Sequence, residues 1–210
     1  MMMKKYNEIE TYLDELIPDP KCELNYFNDY SLLISIMLSA QTTDKRVNEV
    51  TKILFDKYKS LEELKKANYN DLKEIVMPLG NYTRKAFNVK EIARILLDEY
   101  RGIVPSDREK LETLPGIGRK TANVFLAEYL HLPAIAVDTH VLRVTKRLGL
   151  VKDNANVLIV ERALMANIQK ENWSKRHLQL VLFGRYHCKA MKPDCVNCKL
   201  KKICNYYKEK

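Results

Sequence analysis

The chain has 210 residues, 46% of them hydrophobic, with a net charge of +9 and an isoelectric point near 9.2. That suffices for one large domain or two small ones with a real core, and the charge suits a polyanionic partner. The chain starts MMMKKYNEIE, without an apolar signal region, and its longest apolar stretch, residues 30–40, is too short to span a bilayer. A cytoplasmic protein follows as the expectation, nucleoid-associated if the source is prokaryotic.

In chain order, Tyr6, Ile9, Leu13, Leu16 and Ile17 recur at helical spacing over residues 4–17, stopped by Pro18. Asp29 is a candidate cap for a helix through Ala40 that is apolar almost all round and therefore central and buried. Thr43 or Asp44 caps an amphipathic helix with Val47, Val50, Leu54 and Tyr58. Ser60 with Glu63 makes a capping box, and Asn70 caps a turn ending at Met77-Pro78. A long helix then carries Ala86, Val89, Ala93, Leu96 and Tyr100 on one face and stops at Gly102. Ser106 with Glu109 opens a helix over 106–114, and a second runs over 119–130. Further helices are predicted over 139–148, with Arg143, Lys146 and Arg147, from Asn154 through Ile168, and from Asn172 to about Tyr186. No segment alternates like a strand, so the fold class is all α.

Residues 111–140 carry the densest chemistry. Leu114-Pro115-Gly116-Ile117-Gly118 is a tight turn between two helices. Gly116 and Gly118 tolerate positive φ, successive N–H groups there make a nest for an anion, and the helix N-terminus adds unpaired N–H groups. A plain structural turn explains the same residues. Lys120 sits in the first turn of the following helix, where the macrodipole disfavours its ammonium form and so favours a nucleophilic amine. A lysine that merely binds phosphate is the bland alternative. Asp138 lies eighteen residues on. A helix of about 18 Å and a return of at most about 23 Å let it come back beside Lys120 with little slack. It also reads as an ordinary N-cap for the next helix, and the two roles are compatible.

Four of the five cysteines close the chain as Cys188-x6-Cys195-x2-Cys198-x5-Cys204, and Cys22 reads as a buried structural thiol. Four thiolates within 17 residues can serve a metal centre. Zinc usually takes two short Cys-x2-Cys knuckles, and only one is present; the wider gaps suit an iron–sulfur cubane. Both readings stand on spacing alone. Eight Lys or Arg against two acids fall in residues 184–210, so six of the nine net positive charges lie there.

The run LPGIGRKTANVFL with VDTHVLRVTKRLGL, the LSAQTTD segment at 38–44, the LGNYTRKA segment at 79–86 and the cysteine spacing together resemble the endonuclease III family of DNA glycosylases. The resemblance spans about residues 38–204. It implies two helical domains with a DNA cleft between them: residues 22–132, a six-helix barrel domain containing the helix-hairpin-helix at about 106–130, and a discontinuous domain of 1–21 plus 133–210 with the cluster loop at 188–204. It implies a bifunctional DNA N-glycosylase and abasic-site lyase acting in base excision repair as a monomer on duplex DNA with damaged bases, oxidised pyrimidines foremost, or abasic sites. Lys120 would be the nucleophile and Asp138 the carboxylate that stabilises charge on the sugar. Gln41 would fill the gap left by the extruded base. Asn81 stands where the family often has an apolar wedge, which bears on opposing-base tolerance. Gly116 and Gly118 would hold DNA phosphate, as would Lys199, Lys201 and Lys202. Cys188, Cys195, Cys198 and Cys204 would ligate a [4Fe–4S] cluster. The rivals are a non-catalytic DNA-binding or redox module, a monofunctional mismatch glycosylase, and the adenine glycosylases, which usually carry a further C-terminal domain where this chain stops six residues after Cys204.

Overall fold

A computed structural model describes residues 2–208, and every regular element among them is helical. The chain forms two compact units, one of Glu23–Leu130 and one of Met1–Cys22 with His131–Lys210. No helix among the described residues is long and apolar enough to cross a membrane.

The unit Glu23–Leu130 is built around α2 (Asp29–Leu38), in which every residue from Tyr30 to Leu38 is buried. Leu32, Leu33, Ile34 and Leu38 are sealed from solvent, each contributing roughly 1.5–3 kcal/mol by burial. The cap is Asn28, not Asp29: Asn28 Oδ1 accepts the Ser31 N–H at 3.0 Å and Ser31 Oγ accepts the Asn28 N–H at 3.0 Å. Asp29 is the first helical residue, and its second oxygen accepts the Val104 N–H, tying the helix start to a distant loop. Around α2 lie α3 (Asp44–Lys57), capped by Thr43, the short α4 (Leu61–Lys66) and α5 (Tyr69–Val76), and α6 (Tyr82–Tyr100). Asn68, not Asn70, caps α5. Ser60 caps α4 as read from sequence, but Glu63 reaches the Lys59 N–H rather than that of Ser60. The hairpin helices are α7 (Arg108–Glu112) and α8 (Arg119–Glu128), both shorter than periodicity suggested. Asp107, not Ser106, accepts the N–H that caps α7.

In the other unit, α1 (Met2–Leu16) buries Tyr6, Ile9, Tyr12 and Leu13, while Leu16 is exposed. It packs on α11 (Trp173–Leu182), whose Arg176 grips Asp14 at 2.6 and 2.8 Å. Gln179 Nε2 donates to the carbonyls of Leu13 and Ile17. The Leu13 carbonyl also accepts the Ile17 N–H at 2.9 Å, and Ile17 is the first residue after α1, so Gln179 fastens the helix end from outside. The segment 131–137 has no regular structure but buries Ala134, Ile135, Ala136 and Val137. It leads into α9 (Thr139–Arg147), followed by α10 (Val157–Asn167) and a closing α12 (Asn205–Lys208). Asn156 rather than Asn154 caps α10. After Leu182 the backbone widens into a π-helical turn, Phe183–His187, instead of continuing as α-helix. Gly184 in that turn passes so close to α9 that a Cβ would lie 2.8 Å from that of His140.

Candidate active site and cysteine loop

The hairpin takes its shape from two buried anchors and one glycine. Leu114 and Ile117 are buried, and the Ile117 N–H donates to the Leu114 carbonyl at 3.1 Å. Gly116 has φ +79°, and a Cβ there would sit 2.2 Å from Asn88 Nδ2. Both the conformation and the space require glycine. Gly118 departs from expectation: its φ is −106° and nothing lies within 4 Å of a Cβ built on it. It is the N-cap of α8, and it brings no side chain to satisfy the first N–H groups. The first turn of α8 carries no acidic residue either. The positive end of the helix dipole is thus met by neither a capping side chain at Gly118 nor an acid in the first turn.

Lys120 is the second residue of α8 and is exposed. Among the described residues its amine makes no ion pair or hydrogen bond, so nothing blocks its lone pair once a proton leaves.

Asp138 is the N-cap of α9 and half-buried; its Oδ1 accepts the Val141 N–H at 2.8 Å. One turn on, Arg143 Nη2 lies 3.2 Å from His140 Nδ1 and donates to the Gly184 carbonyl at 2.6 Å. Burial, the first cause, and the charge of Arg147 lower the affinity of Arg143 for its proton, while the charges of Cys188 and Asp138 raise it.

Gln41 and Asn81 are both exposed, and both hold left-handed backbone, φ +58° and +46°. The structure joins their segments. Thr42 Oγ1 donates to the Leu79 carbonyl at 2.8 Å, and the buried Lys85 reaches both sides. Sequence periodicity gave Lys85 no role, although it falls in phase with Val89, Ile92 and Leu96 on the buried face of α6. A lysine at a core position of an amphipathic period was the available signal.

The four C-terminal cysteines are all half-buried, as is Cys22, which is less enclosed than expected. Arg147 Nη1 approaches Cys188 Sγ at 3.5 Å and donates to the Lys189 carbonyl at 2.6 Å. Arg143 Nε and Nη2 donate to the Cys188 carbonyl, and Cys204 Sγ meets the Arg147 carbonyl at 3.2 Å. Burial, first among the causes, raises the thiols of Cys198 and Cys204, and each also feels the charges of Cys188 and Cys195. Among the described residues no three His, Cys, Asp or Glu side chains converge on a single ion. In the same loop Lys199 pairs with Glu15 at 2.5 Å, Lys201 donates to the Val196 carbonyl, and Lys202 is exposed.

The model of the HhH-GPD superfamily of base excision DNA repair proteins matches residues 34–170. Endonuclease III of Bacillus subtilis (strain 168) is 44% identical over 205 residues, 96% of this chain and 94% of the relative. The chain belongs to the endonuclease III family. The solved structure of a non-covalent endonuclease III–DNA complex superposes with a TM-score of 0.96 at 43% identity, covering 99% of this chain and 97% of that one. The trapped endonuclease III–DNA covalent intermediate gives 0.92 at 46% identity, covering 97% of both. As a member of the endonuclease III family the chain is a bifunctional DNA glycosylase and abasic-site lyase of base excision repair.

Proposed function

We propose that this enzyme, as a monomer on duplex DNA, releases oxidised pyrimidines with Lys120 as nucleophile and Asp138 as the charge-stabilising carboxylate. The observation that carries the assignment is an exposed, unengaged lysine in the first turn of a helix with no side-chain cap, directly after the hairpin. The orphan N–H groups of α8 and the Gly116 turn bind a phosphate beside the damaged nucleotide. The damaged base is everted for reaction. The Lys120 amine attacks the anomeric carbon as the N-glycosidic bond breaks, and the base leaves with the bonding electrons and takes a proton. Positive charge builds on the sugar in that step. Asp138 has one oxygen committed to Val141, and its other oxygen offsets that charge. Nitrogen then expels the ring oxygen to give an open-chain imine. Loss of a proton from the adjacent carbon ejects the 3′ phosphate, and water releases the lysine.

Gln41 and Asn81 enter the stack where the base has left. Asn81 offers a polar amide in place of an apolar wedge, so hydrogen bonding to the opposing strand replaces simple intercalation. Gly118 and the lysines of the C-terminal loop, Lys199, Lys201 and Lys202, position the backbone without reading sequence. Cys188, Cys195, Cys198 and Cys204 hold a [4Fe–4S] cluster, whose bonds would cross-link the loop that bears those lysines. The Arg143 and Arg147 guanidiniums donate to the loop carbonyls, and Arg147 lies beside the Cys188 sulfur, which suits an anionic group there. Iron and acid-labile sulfide in equal amounts are expected in the purified protein; zinc without visible absorbance would reject the cluster.

The function is tested on duplexes bearing an oxidised pyrimidine, uracil or a mismatch. The oxidised pyrimidine is expected to be released fastest, with strand cleavage by β-elimination that Lys120→Ala abolishes. Base release without strand cleavage would favour a monofunctional glycosylase, and binding with neither reaction would favour a non-catalytic module.

A further inference from the structure

Lys85 is 5% exposed, and no carboxylate is among its partners. Its ammonium donates to the Ala40 carbonyl at 2.9 Å, the Leu79 carbonyl at 3.0 Å and Thr42 Oγ1 at 3.3 Å. Those three acceptors use all three of its N–H groups. Ala40 and Thr42 are the immediate neighbours of Gln41, so the side chain of Lys85 brackets that residue. Its backbone N–H makes the first ordinary helix bond of α6, to the Asn81 carbonyl at 3.1 Å, and its ammonium reaches that corner through the Leu79 carbonyl, two residues before Asn81. Thr42 Oγ1 closes the ring by donating to Leu79.

Two physical facts make this more than packing. A buried cation without a counter-ion is costly, and burial alone depresses the pKa of Lys85. That cost is offset by three acceptors drawn from both segments, so what the ammonium supplies is a fixed geometry between them. Gln41 also holds left-handed backbone, which a residue other than Gly, Asn or Asp keeps only where its surroundings enforce it.

We propose that Lys85 is a positioning residue that couples the Gln41 and Asn81 corners, so that the two side chains enter the DNA stack as one rigid element. The inference rests on the reading of Gln41 and Asn81 as the residues that face the duplex.

The test is a double-mutant cycle on base release from a duplex substrate, in the whole protein. Gln41→Gly and Asn81→Gly remove each side chain while tolerating positive φ. With Lys85 present, the combined effect on kcat/KM is expected to differ from the product of the single effects by about threefold or more. In the Lys85→Met background the effects are expected to multiply. Borohydride trapping on a single-stranded abasic oligonucleotide, which has no stack to fill, should be unchanged by Lys85→Met. The same coupling in both backgrounds overturns the proposal and leaves the DNA-facing reading intact. No effect of either single glycine variant overturns that reading and this proposal with it. Equal loss on single-stranded and duplex DNA reports general damage and overturns a positioning role. Should Lys85→Met fail to fold, Thr42→Val removes one acceptor and the link to Leu79, and the cycle is run there with the same two outcomes.

Discussion

Asp138 accepts the Val141 N–H through Oδ1 and so caps α9 with one carboxylate oxygen. Capping and chemistry separate by substitution. Asn keeps the acceptor, so Asp138→Asn should lose only a few tenths of a kcal/mol of stability, whereas Asp138→Ala should lose about 1 kcal/mol. Base release should fall about 100-fold or more in both, because Asn cannot offset charge on the sugar. Urea unfolding and single-turnover release check the pair; full base release by Asp138→Asn would contradict the role. At this scale the sequence was uneven. Lys120 and Asp138 stood out by their places at two helix starts and the cysteines by their spacing, while the roles given to them came from the family resemblance. Lys85 did not, because its role depends on two loops brought to it from residues 40–42 and 79, a proximity that spacing does not encode.

At the scale of elements, the hairpin is set by the one glycine that has no alternative. Gly116→Ala places a Cβ against Asn88 Nδ2 and strains φ +79°, a combined cost of about 1–3 kcal/mol. Thermal unfolding should show that loss, and Asn88→Ala in the same chain should recover the steric part of it. Gly118→Ala should be tolerated, since φ there is −106° and its surroundings are open. Helix existence was legible from periodicity, as in α2, α3 and α6. Helix starts were less so: Asn28, Asn68, Asp107 and Asn156 cap where a neighbouring Asp, Asn or Ser was equally plausible. Several polar residues near a start compete, and the winner depends on the entering chain direction. The π-helical turn at Phe183–His187 left no periodic trace, because one widened turn barely shifts the phase.

At the scale of the whole molecule, the all-α class was readable, and the helical resemblance is matched by a TM-score of 0.96. What sequence could not show is how the N-terminal helix is fastened to a residue 162 positions away. Arg176 is buried and donates to Asp14 twice, and Lys175 pairs with the same carboxylate at 2.7 Å. The Arg176 hydrogen bonds, first among the causes, hold the Asp14 carboxyl well below the usual range. A carboxyl with a depressed folded-state pKa stabilises the fold above its ordinary value, and that stabilisation is lost as pH falls from about 4 downward. Glu10, beside the same arginine, is shifted the other way by burial, so its ionised form adds no such gain. The melting temperature of the wild-type protein should therefore fall more steeply between about pH 5 and pH 3 than that of Asp14→Asn; equal slopes would remove Asp14 from the account of acid sensitivity.

The most direct measurement of the central claim is borohydride trapping on a duplex containing an abasic site. The wild-type protein is predicted to form a covalent DNA adduct through Lys120, and folded Lys120→Ala protein to form none. An adduct of equal yield from Lys120→Ala, or none from the wild type on DNA that it binds, would contradict the assignment of Lys120 as the nucleophile.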